Sequence, residues 1–351
     1  MTTRLADSIH LQVPEDNPPP SENQSHHVLI YFIPGNPGLI EYYHAFLFHL
    51  ATSLESVTTT GNSQHGTGTT FRITGNSLAG FHVSSAPSER RTASDGQTPL
   101  PLNLDQQIED VQRQLLLTAS SHRTSEGRKP QVILVGHSVG AYIMMSLLSR
   151  RNQTNNPLHG LDIVDGIGLF PTIVDLYASR NGRKFSWLAL LPGFSLLLQT
   201  LARLLCVFLS FNSLVRLAGR ITGHPNPAAR VTAAFLASPQ GVRQAVYMAQ
   251  HELLEMREDK WSDDVWHGPS DSNQRRPRML FYFASADHWI ANSTRDKLIA
   301  TRSGAATGNP KGPKIEVEKE SVPHDFCVQE GWSRHVAGKV AGYVEEILAG
   351  R

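Results

Sequence analysis

The stretch that decides the fold is QVILVGHSVGAYIMMSLLSR, residues 131–150. A short β-branched run is followed at once by the pentapeptide GHSVG and then by apolar residues at helical spacing. A nucleophilic serine that ends a strand and begins a helix lies on a sharp, strained turn, and glycines two residues before and after it leave room for that turn. The pattern therefore predicts Ser138 as a nucleophile, and a tight turn with an exposed serine is the alternative.

Segments typical of strands and helices alternate on both sides of this turn. Predicted strands cover residues 26–34, 71–75, 131–136, 162–170, 278–284 and 314–320, and predicted helices cover 40–54, 104–119, 140–150 and 328–350. This alternation predicts an α/β fold with a mostly parallel central sheet and helices on both faces. We expect residues 1–25, which are polar and proline-rich, to form a flexible leader to a domain spanning 26–351.

Composition excludes several classes of function. The formal net charge is +1, and the lysines and arginines are scattered along the chain, so we expect no nucleic-acid partner. Two cysteines cannot build a disulfide framework, and no cluster has the spacing of metal ligands. The N-terminal residues lack the apolar run of a secretory signal, which predicts a protein that faces the cytosol.

A serine hydroxyl becomes a good nucleophile when a histidine accepts its proton and a carboxylate orients that histidine. With a nucleophile in this kind of turn, the acid and then the histidine follow the serine along the chain. Asp287 lies in the loop SADHW, which follows the predicted strand 278–284. Of the 16 histidines, His324 alone lies between the last predicted strand and the last helix. The sequence predicts Asp287 as the acid and His324 as the base, with Asp296 and Asp175 as alternative acids.

Acyl transfer also needs backbone N–H groups that stabilise an oxyanion. One donor is expected from Val139, directly after the nucleophile at the start of a helix. The other is expected from the loop PGNPG at residues 34–38, which follows the first long strand. Pro37 has no N–H, so Asn36 is the predicted donor, and a turn that merely ends the strand is the alternative.

One long apolar segment interrupts the alternation. Residues 185–219 are apolar almost all round, broken by Pro192-Gly193 and by Arg203 and Arg216. The break argues against a bilayer-spanning helix. The segment is predicted either to lie in a phospholipid monolayer with its arginines at the headgroups, or to pack as a cap over the site. We favour a cap, within an insertion of about residues 176–265, that also anchors the protein.

The motifs FIPGNPG and YYHAF, followed by LDQQIED, GHSVGAY, GLFPTI, NGR, DHW and HDF, occur in this order between about Val28 and Phe326. Together they resemble the lipid droplet-associated hydrolase family. The resemblance implies an α/β-hydrolase fold with an apolar helical cap and assigns Ser138, Asp287 and His324 to a catalytic triad.

The resemblance further implies a serine esterase or lipase acting on sterol esters or other neutral lipid esters. It implies a location at the lipid droplet monolayer or the surface of the endoplasmic reticulum, and it implies no cofactor or metal. Two alternatives remain open: an acyltransferase on the same fold, and a droplet-surface organising protein of low activity.

Overall fold

The computed structural model describes residues 5–14, 26–59, 69–83, 96–122, 129–153, 155–189, 191–267, 277–310 and 312–349. Within them, seven strands form one sheet of order β1-β3-β2-β4-β5-β6-β7. The strands are β1 (Ser8–Val13), β2 (His26–Ile33), β3 (Thr69–Asn76), β4 (Gln131–His137), β5 (Asp162–Leu169), β6 (Arg278–Phe283) and β7 (Lys314–Val317). All neighbouring strands are parallel except β1, which runs antiparallel to β3. The predicted mostly parallel sheet is confirmed.

Helices follow nearly every strand. They are α1 (His44–Thr59), α2 (Leu104–Ser121), α3 (Val139–Arg151), α4 (Arg180–Ala189), α5 (Phe194–Phe208), α6 (Phe211–Thr222), α7 (Asn226–Ala237), α8 (Gly241–Glu255), α9 (Asp263–His267), α10 (Asn292–Arg302), α11 (Gly304–Thr307) and α12 (Glu330–Ala349). Helices α4 to α9 lie between β5 and β6, and we call this stretch, residues 180–267, the helical insertion.

Side chains of the sheet alternate between two apolar layers. Along β2, Val28 and Ile30 face a layer that includes α1 and α12, whereas Leu29 and Tyr31 face a layer that includes α2 and α3. This period of two is the one expected when helices cover both faces of a sheet. The carboxyl ends of the parallel strands meet at one end of the sheet, where α/β proteins place their sites.

The first strand corrects one prediction. Residues 1–25 were expected to form a flexible leader, and this is wrong for Ser8–Val13, which form the edge strand β1. Ile9 and Val13 are buried, while the residues between them alternate towards solvent. The alternation in SIHLQV is a strand signal that the polar, proline-rich surroundings obscured. Residues 1–4 and 15–25 lie outside the described residues.

Helix α5 of the helical insertion has two different faces. Gln199 and Ala202 are buried, and Leu205 packs against a small cluster formed by α6 and α7. The opposite face is apolar but open to solvent. Together with exposed apolar side chains of α4, of the loop before α5 and of the start of α6, it makes up what we call the exposed apolar surface. Its large side chains are Phe185, Trp187, Leu191, Leu196, Leu197, Leu201, Leu204, Val207, Phe208 and Phe211.

The chain breaks between α4 and α5 at Pro192-Gly193, as the sequence predicts. Among the described residues, none of the helices combines the length and the apolar character that crossing a bilayer requires.

Candidate active site

Ser138 lies on the turn between β4 and α3. Its backbone has φ 55° and ψ −123°, a conformation that residues other than glycine rarely adopt. The turn is held in place because the N–H of Ser138 donates to the carbonyl of Leu169 in the neighbouring strand, at 3.0 Å. Such a strained strand-to-helix turn lifts the serine hydroxyl clear of the sheet edge.

The glycines of the GHSVG motif are required by the close approach of other backbone atoms. A Cβ atom added to Gly136 would lie 2.4 Å from the carbonyl oxygen of Gly140. A Cβ atom added to Gly140 would lie 2.2 Å from the carbonyl oxygen of Ile33 in β2. Neither neighbour is a flexible side chain that could move away. Any larger residue would therefore displace the backbone that carries Ser138.

The structure brings Ser138, His324 and Asp287 together, although they are far apart in the sequence. Nε2 of His324 lies 2.9 Å from Oγ of Ser138. Nδ1 of the same ring lies 2.7 Å from Oδ2 of Asp287. A carboxylate can only accept, so Nδ1 carries the proton and Nε2 is free to accept the proton of the serine hydroxyl. The arrangement has the geometry needed for nucleophilic catalysis.

Asp287 is held in its ionised form. Its side chain is only 4% exposed, and this burial by itself would raise its pKa. The imidazole of His324 and the N–H of Trp289, which donates to Oδ1 at 2.7 Å, outweigh that effect. The pKa of Asp287 therefore lies below its ordinary value. An ionised carboxylate at this position orients the histidine and can stabilise an imidazolium formed there.

The two alternative acids make other contacts. Asp296 forms an exposed ion pair with Arg295 at 2.8 Å. Asp175 accepts a hydrogen bond from the N–H of Ala178 and thereby caps a short 3₁₀ turn. Both ring nitrogens of His324 are already used by Ser138 and Asp287.

A second chain of hydrogen bonds supports the same histidine. Nε2 of His137 lies 3.0 Å from the carbonyl oxygen of His324, so this nitrogen carries the proton and donates. Nδ1 of His137 then accepts from the hydroxyl of Tyr43 at 2.8 Å. These two residues were not predicted from the sequence as part of the site. The available signals were the position of His137 inside GHSVG and of Tyr43 inside YYHAF.

His137 stays neutral beside His324. Burial first, and the nearby His324 second, lower the pKa of His137 to about 3. The two rings lie close together, with centroids 5.0 Å apart. Because His137 does not ionise near neutral pH, it adds no second positive charge that would oppose protonation of His324.

The loop of residues 34–38 lies directly against Ser138. A Cβ atom added to Gly35 would lie 3.0 Å from Cβ of Ser138. The N–H of Gly35 donates to the hydroxyl of Tyr43 at 3.0 Å, and Pro37 has no N–H, so Asn36 is the donor left at the centre of this loop. Val139 is the first residue of α3, where N–H groups have no partner within the helix. Val139 thus follows Ser138 directly and Asn36 follows Gly35, the residue that packs against Ser138, and their role as oxyanion donors remains a prediction.

Ser138 and His324 line a cavity of about 410 Å³, which lies between the carboxyl ends of the strands and the helical insertion. Its surface is mostly apolar. The large apolar side chains that line it are Leu176, Phe185, Phe235, Leu253, Trp289 and Val328. Phe185 and Trp289 stack with ring centroids 6.5 Å apart, and both are partly exposed, so they mark the mouth of the cavity.

Two carboxyl groups, those of Glu252 and Asp325, line this apolar cavity, and of the two Glu252 is the buried one. Glu252 of α8 is only 6% exposed, and its Oε1 accepts a hydrogen bond from Nδ2 of Asn36 at 2.8 Å. Burial raises the pKa of Glu252 from 4.5 to about 7, and the bond from Asn36 and the nearby His324 only partly oppose this. The folded protein therefore binds this proton more tightly than the unfolded chain does.

This raised pKa makes a stability prediction. The stabilising contribution of protonated Glu252 is complete below pH 4.5 and is lost as the pH rises through about 7. As the pH rises from 5 to 8, the free energy of unfolding of the wild type is expected to fall as Glu252 ionises. Glu252→Gln cannot ionise, so its free energy of unfolding is expected to fall less, with a difference of up to about 3 kcal/mol between the two decreases. Thermal unfolding midpoints of both proteins across this range test the prediction. Parallel curves would show that Glu252 does not ionise in this window.

Solved structures share this architecture. The peroxisomal α/β-hydrolase Lpx1 of Saccharomyces cerevisiae superposes with a TM-score of 0.56 at 10% sequence identity, covering 99% of this chain and 91% of its own. Juvenile hormone epoxide hydrolase from Bombyx mori superposes with a TM-score of 0.54 at 11% identity, covering 97% of this chain and 73% of its own. At such low identities the likeness shows the fold alone. The predicted α/β-hydrolase fold is confirmed.

The sequence matches are more specific. The model of the family described as lipid-droplet associated hydrolase matches residues 26–327. Lipid droplet-associated hydrolase of Mus musculus is 26% identical over 322 residues, which cover 90% of this chain and 84% of the mouse protein. That of Homo sapiens is 23% identical over 328 residues, covering 92% of this chain and 86% of the human protein. This chain belongs to the lipid-droplet associated hydrolase family.

Proposed function

We propose that this protein is a serine carboxylic ester hydrolase that cleaves neutral lipid esters, sterol esters among them, at the surface of lipid droplets. One observation carries the proposal. The ring of His324 bridges Ser138 and Asp287 at 2.9 Å and 2.7 Å, and the serine opens into a mostly apolar cavity. An apolar cavity next to an activated serine suits an ester that carries a long hydrocarbon group.

The first half of the reaction forms an acyl-enzyme. Oγ of Ser138 attacks the ester carbonyl carbon while its proton passes to Nε2 of His324. The carbonyl oxygen becomes an oxyanion, which the N–H groups of Asn36 and Val139 stabilise. The tetrahedral intermediate then breaks its bond to the alcohol oxygen, and the imidazolium returns the proton to that oxygen. The alcohol leaves, and the acyl group stays on Ser138.

The second half repeats these steps with water. His324 takes a proton from water, and the resulting oxygen attacks the acyl carbonyl carbon. The bond to Oγ of Ser138 breaks, the proton returns to the serine and the carboxylic acid leaves. Asp287 stays ionised throughout, in keeping with its lowered pKa. No group beyond these side chains, two backbone N–H groups and water is needed to balance the reaction.

The exposed apolar surface supports the proposed location. Apolar patches of this kind on a protein surface mark sites of association with protein or membrane. Arg203 and Arg216 are exposed on α5 and α6, next to the apolar side chains, where they can reach lipid headgroups. Phe185 belongs to this surface and also lines the cavity, so the mouth of the cavity opens at the proposed lipid contact.

The test is turnover of a panel of lipid esters presented on emulsified droplets, with Ser138→Ala as the blank. We expect labelling of Ser138 by a fluorophosphonate and hydrolysis of at least one neutral lipid ester above the blank. Adding a labelled lipid alcohol separates hydrolysis from acyl transfer, because transfer produces a labelled ester. Absence of both labelling and turnover would reject the proposal in favour of a non-enzymatic role at the droplet surface.

A further inference from the structure

Helix α8 of the helical insertion is bonded directly to the loop that lies against the nucleophile. The side-chain amide of Asn36 donates both of its N–H groups to this helix. One goes to the carbonyl oxygen of Ala245 at 3.0 Å and the other to Oε1 of Glu252 at 2.8 Å. The two partners are 209 and 216 residues away in the sequence. The contact is therefore a tertiary one that joins two separate parts of the fold.

The orientation of the Asn36 amide follows from its partners. A backbone carbonyl can only accept, so the nitrogen of the amide must point towards Ala245. Glu252 accepts at Oε1 when it is ionised, and its carbonyl oxygen also accepts when the other oxygen is protonated. The bond to Asn36 is thus available in both protonation states of Glu252. A fixed side chain restricts the rotation of its own backbone, including the N–H of the same residue.

We infer that Glu252 is a positioning residue, which acts through the side chain of Asn36 to aim the backbone N–H of Asn36 at the oxyanion of the acyl-transfer reaction. The inference rests on the proposed function, since it assigns a role within that mechanism. It explains why a carboxyl group lies in a cavity whose surface is otherwise mostly apolar. A donor that is aimed before the substrate arrives needs no rearrangement as charge develops.

The inference concerns geometry rather than charge. An ionised carboxylate near a developing oxyanion would oppose it, so a negative charge on Glu252 gives no advantage to the transition state. The titratable groups that share the cavity with Glu252 are Tyr42, Tyr43, His137, His224, His324, Asp325 and Cys327. Among them, His324 is the one that lowers the pKa of Glu252. Glutamine keeps the acceptor oxygen and the size of Glu252, which makes it the variant that separates the two roles.

The experiment measures the rate at which a fluorophosphonate labels Ser138, because its phosphoryl oxygen occupies the position of the oxyanion. Glu252→Ala and Asn36→Ala are each expected to slow labelling about 10- to 100-fold, less than the loss of an entire oxyanion donor. Glu252→Gln is expected to recover most of that rate. The double variant is expected to be no slower than the slower single variant, because both changes break the same bond.

Glu255→Ala is the matched control, since Glu255 lies on the same helix and bonds to His251 instead. It is expected to label within about twofold of the wild type. Thermal unfolding of every variant shows whether it is folded. If Glu252→Ala does not fold, the labelling rate of Asn36→Ala tests the same hydrogen bond. Losses that add in the double variant, a Glu252→Ala rate equal to that of the wild type, or no recovery with glutamine would overturn the inference. A wild-type protein that is not labelled at Ser138 would instead refute the proposed function.

Discussion

Replacing Ser138 by alanine is expected to reduce hydrolysis of the best lipid ester by about 10³- to 10⁶-fold, and His324→Ala is expected to do the same. Without Oγ no acyl-enzyme can form, and without the imidazole the hydroxyl keeps its proton and remains a weak nucleophile. The single hydrogen bond that joins the two residues, 2.9 Å long, makes them act as one unit. The measurement is kcat/KM on emulsified substrate for each variant.

The double variant distinguishes a shared mechanism from two independent effects. Ser138→Ala/His324→Ala is expected to lose no more activity than the slower single variant, because once either residue is gone the other has no function. Asp287→Asn is expected to lose about 10⁴-fold, since an amide no longer fixes the proton on Nδ1 of His324. Unfolding midpoints close to that of the wild type show that the fold survives. Retention of activity in either single variant contradicts the triad.

The second large effect concerns location. Given the proposed location, the double variant Leu197→Asp/Leu204→Asp is expected to move the protein from droplets into the cytosol. Both leucines lie on the outer face of α5 and are half exposed, at 54% and 50%. Each charge costs roughly 2.5–3.5 kcal/mol at the depth of an apolar layer, and about 1.4 kcal/mol changes a partition tenfold. The two charges together would abolish a reversible anchor. A fluorescent fusion and the buoyant fraction of a lysate report the location.

A matched control and a folding check accompany this variant. Leu117 is an exposed leucine on α2, outside the helical insertion, and Leu117→Asp is expected to leave the protein on droplets. Leu205 is unsuitable as a target because it packs inward against α6 and α7, where a charge would disrupt the fold instead. Labelling of Ser138 in the released fraction shows that the variant is folded. A double variant that remains on droplets would place the anchor elsewhere in the chain.

Local sequence predicted the nucleophile turn because every requirement of that turn is met by neighbouring residues. The glycines around Ser138 are needed for a conformation that spans five residues. Asp287 and His324 could be named because each follows a strand, and parallel strands bring their carboxyl ends to one edge. Short-range pattern and chain order were therefore enough to name the residues that meet at the centre of the site.

The supporting contacts could not be predicted in this way. Tyr43 and His137 are 94 residues apart, and Asn36 and Glu252 are 216 residues apart. Such pairs depend on how helices pack onto the sheet, which side-chain periodicity does not encode. The sequence also could not predict which apolar side chains of α5 are buried and which are exposed. A helix that is apolar all round has no periodic signal that separates its buried face from its outer face.

The stacked pair Phe185 and Trp289 has a consequence for kinetics. Because the cavity opens beside the apolar surface, an enzyme bound to lipid as proposed would draw its substrate from the same layer that holds it. Diffusion is then confined to two dimensions, and the quantity that sets the rate is the mole fraction of the ester among the surface lipids. Diluting a droplet suspension with buffer should leave the rate per bound enzyme unchanged, whereas diluting the ester with inert phospholipid within the monolayer should lower it.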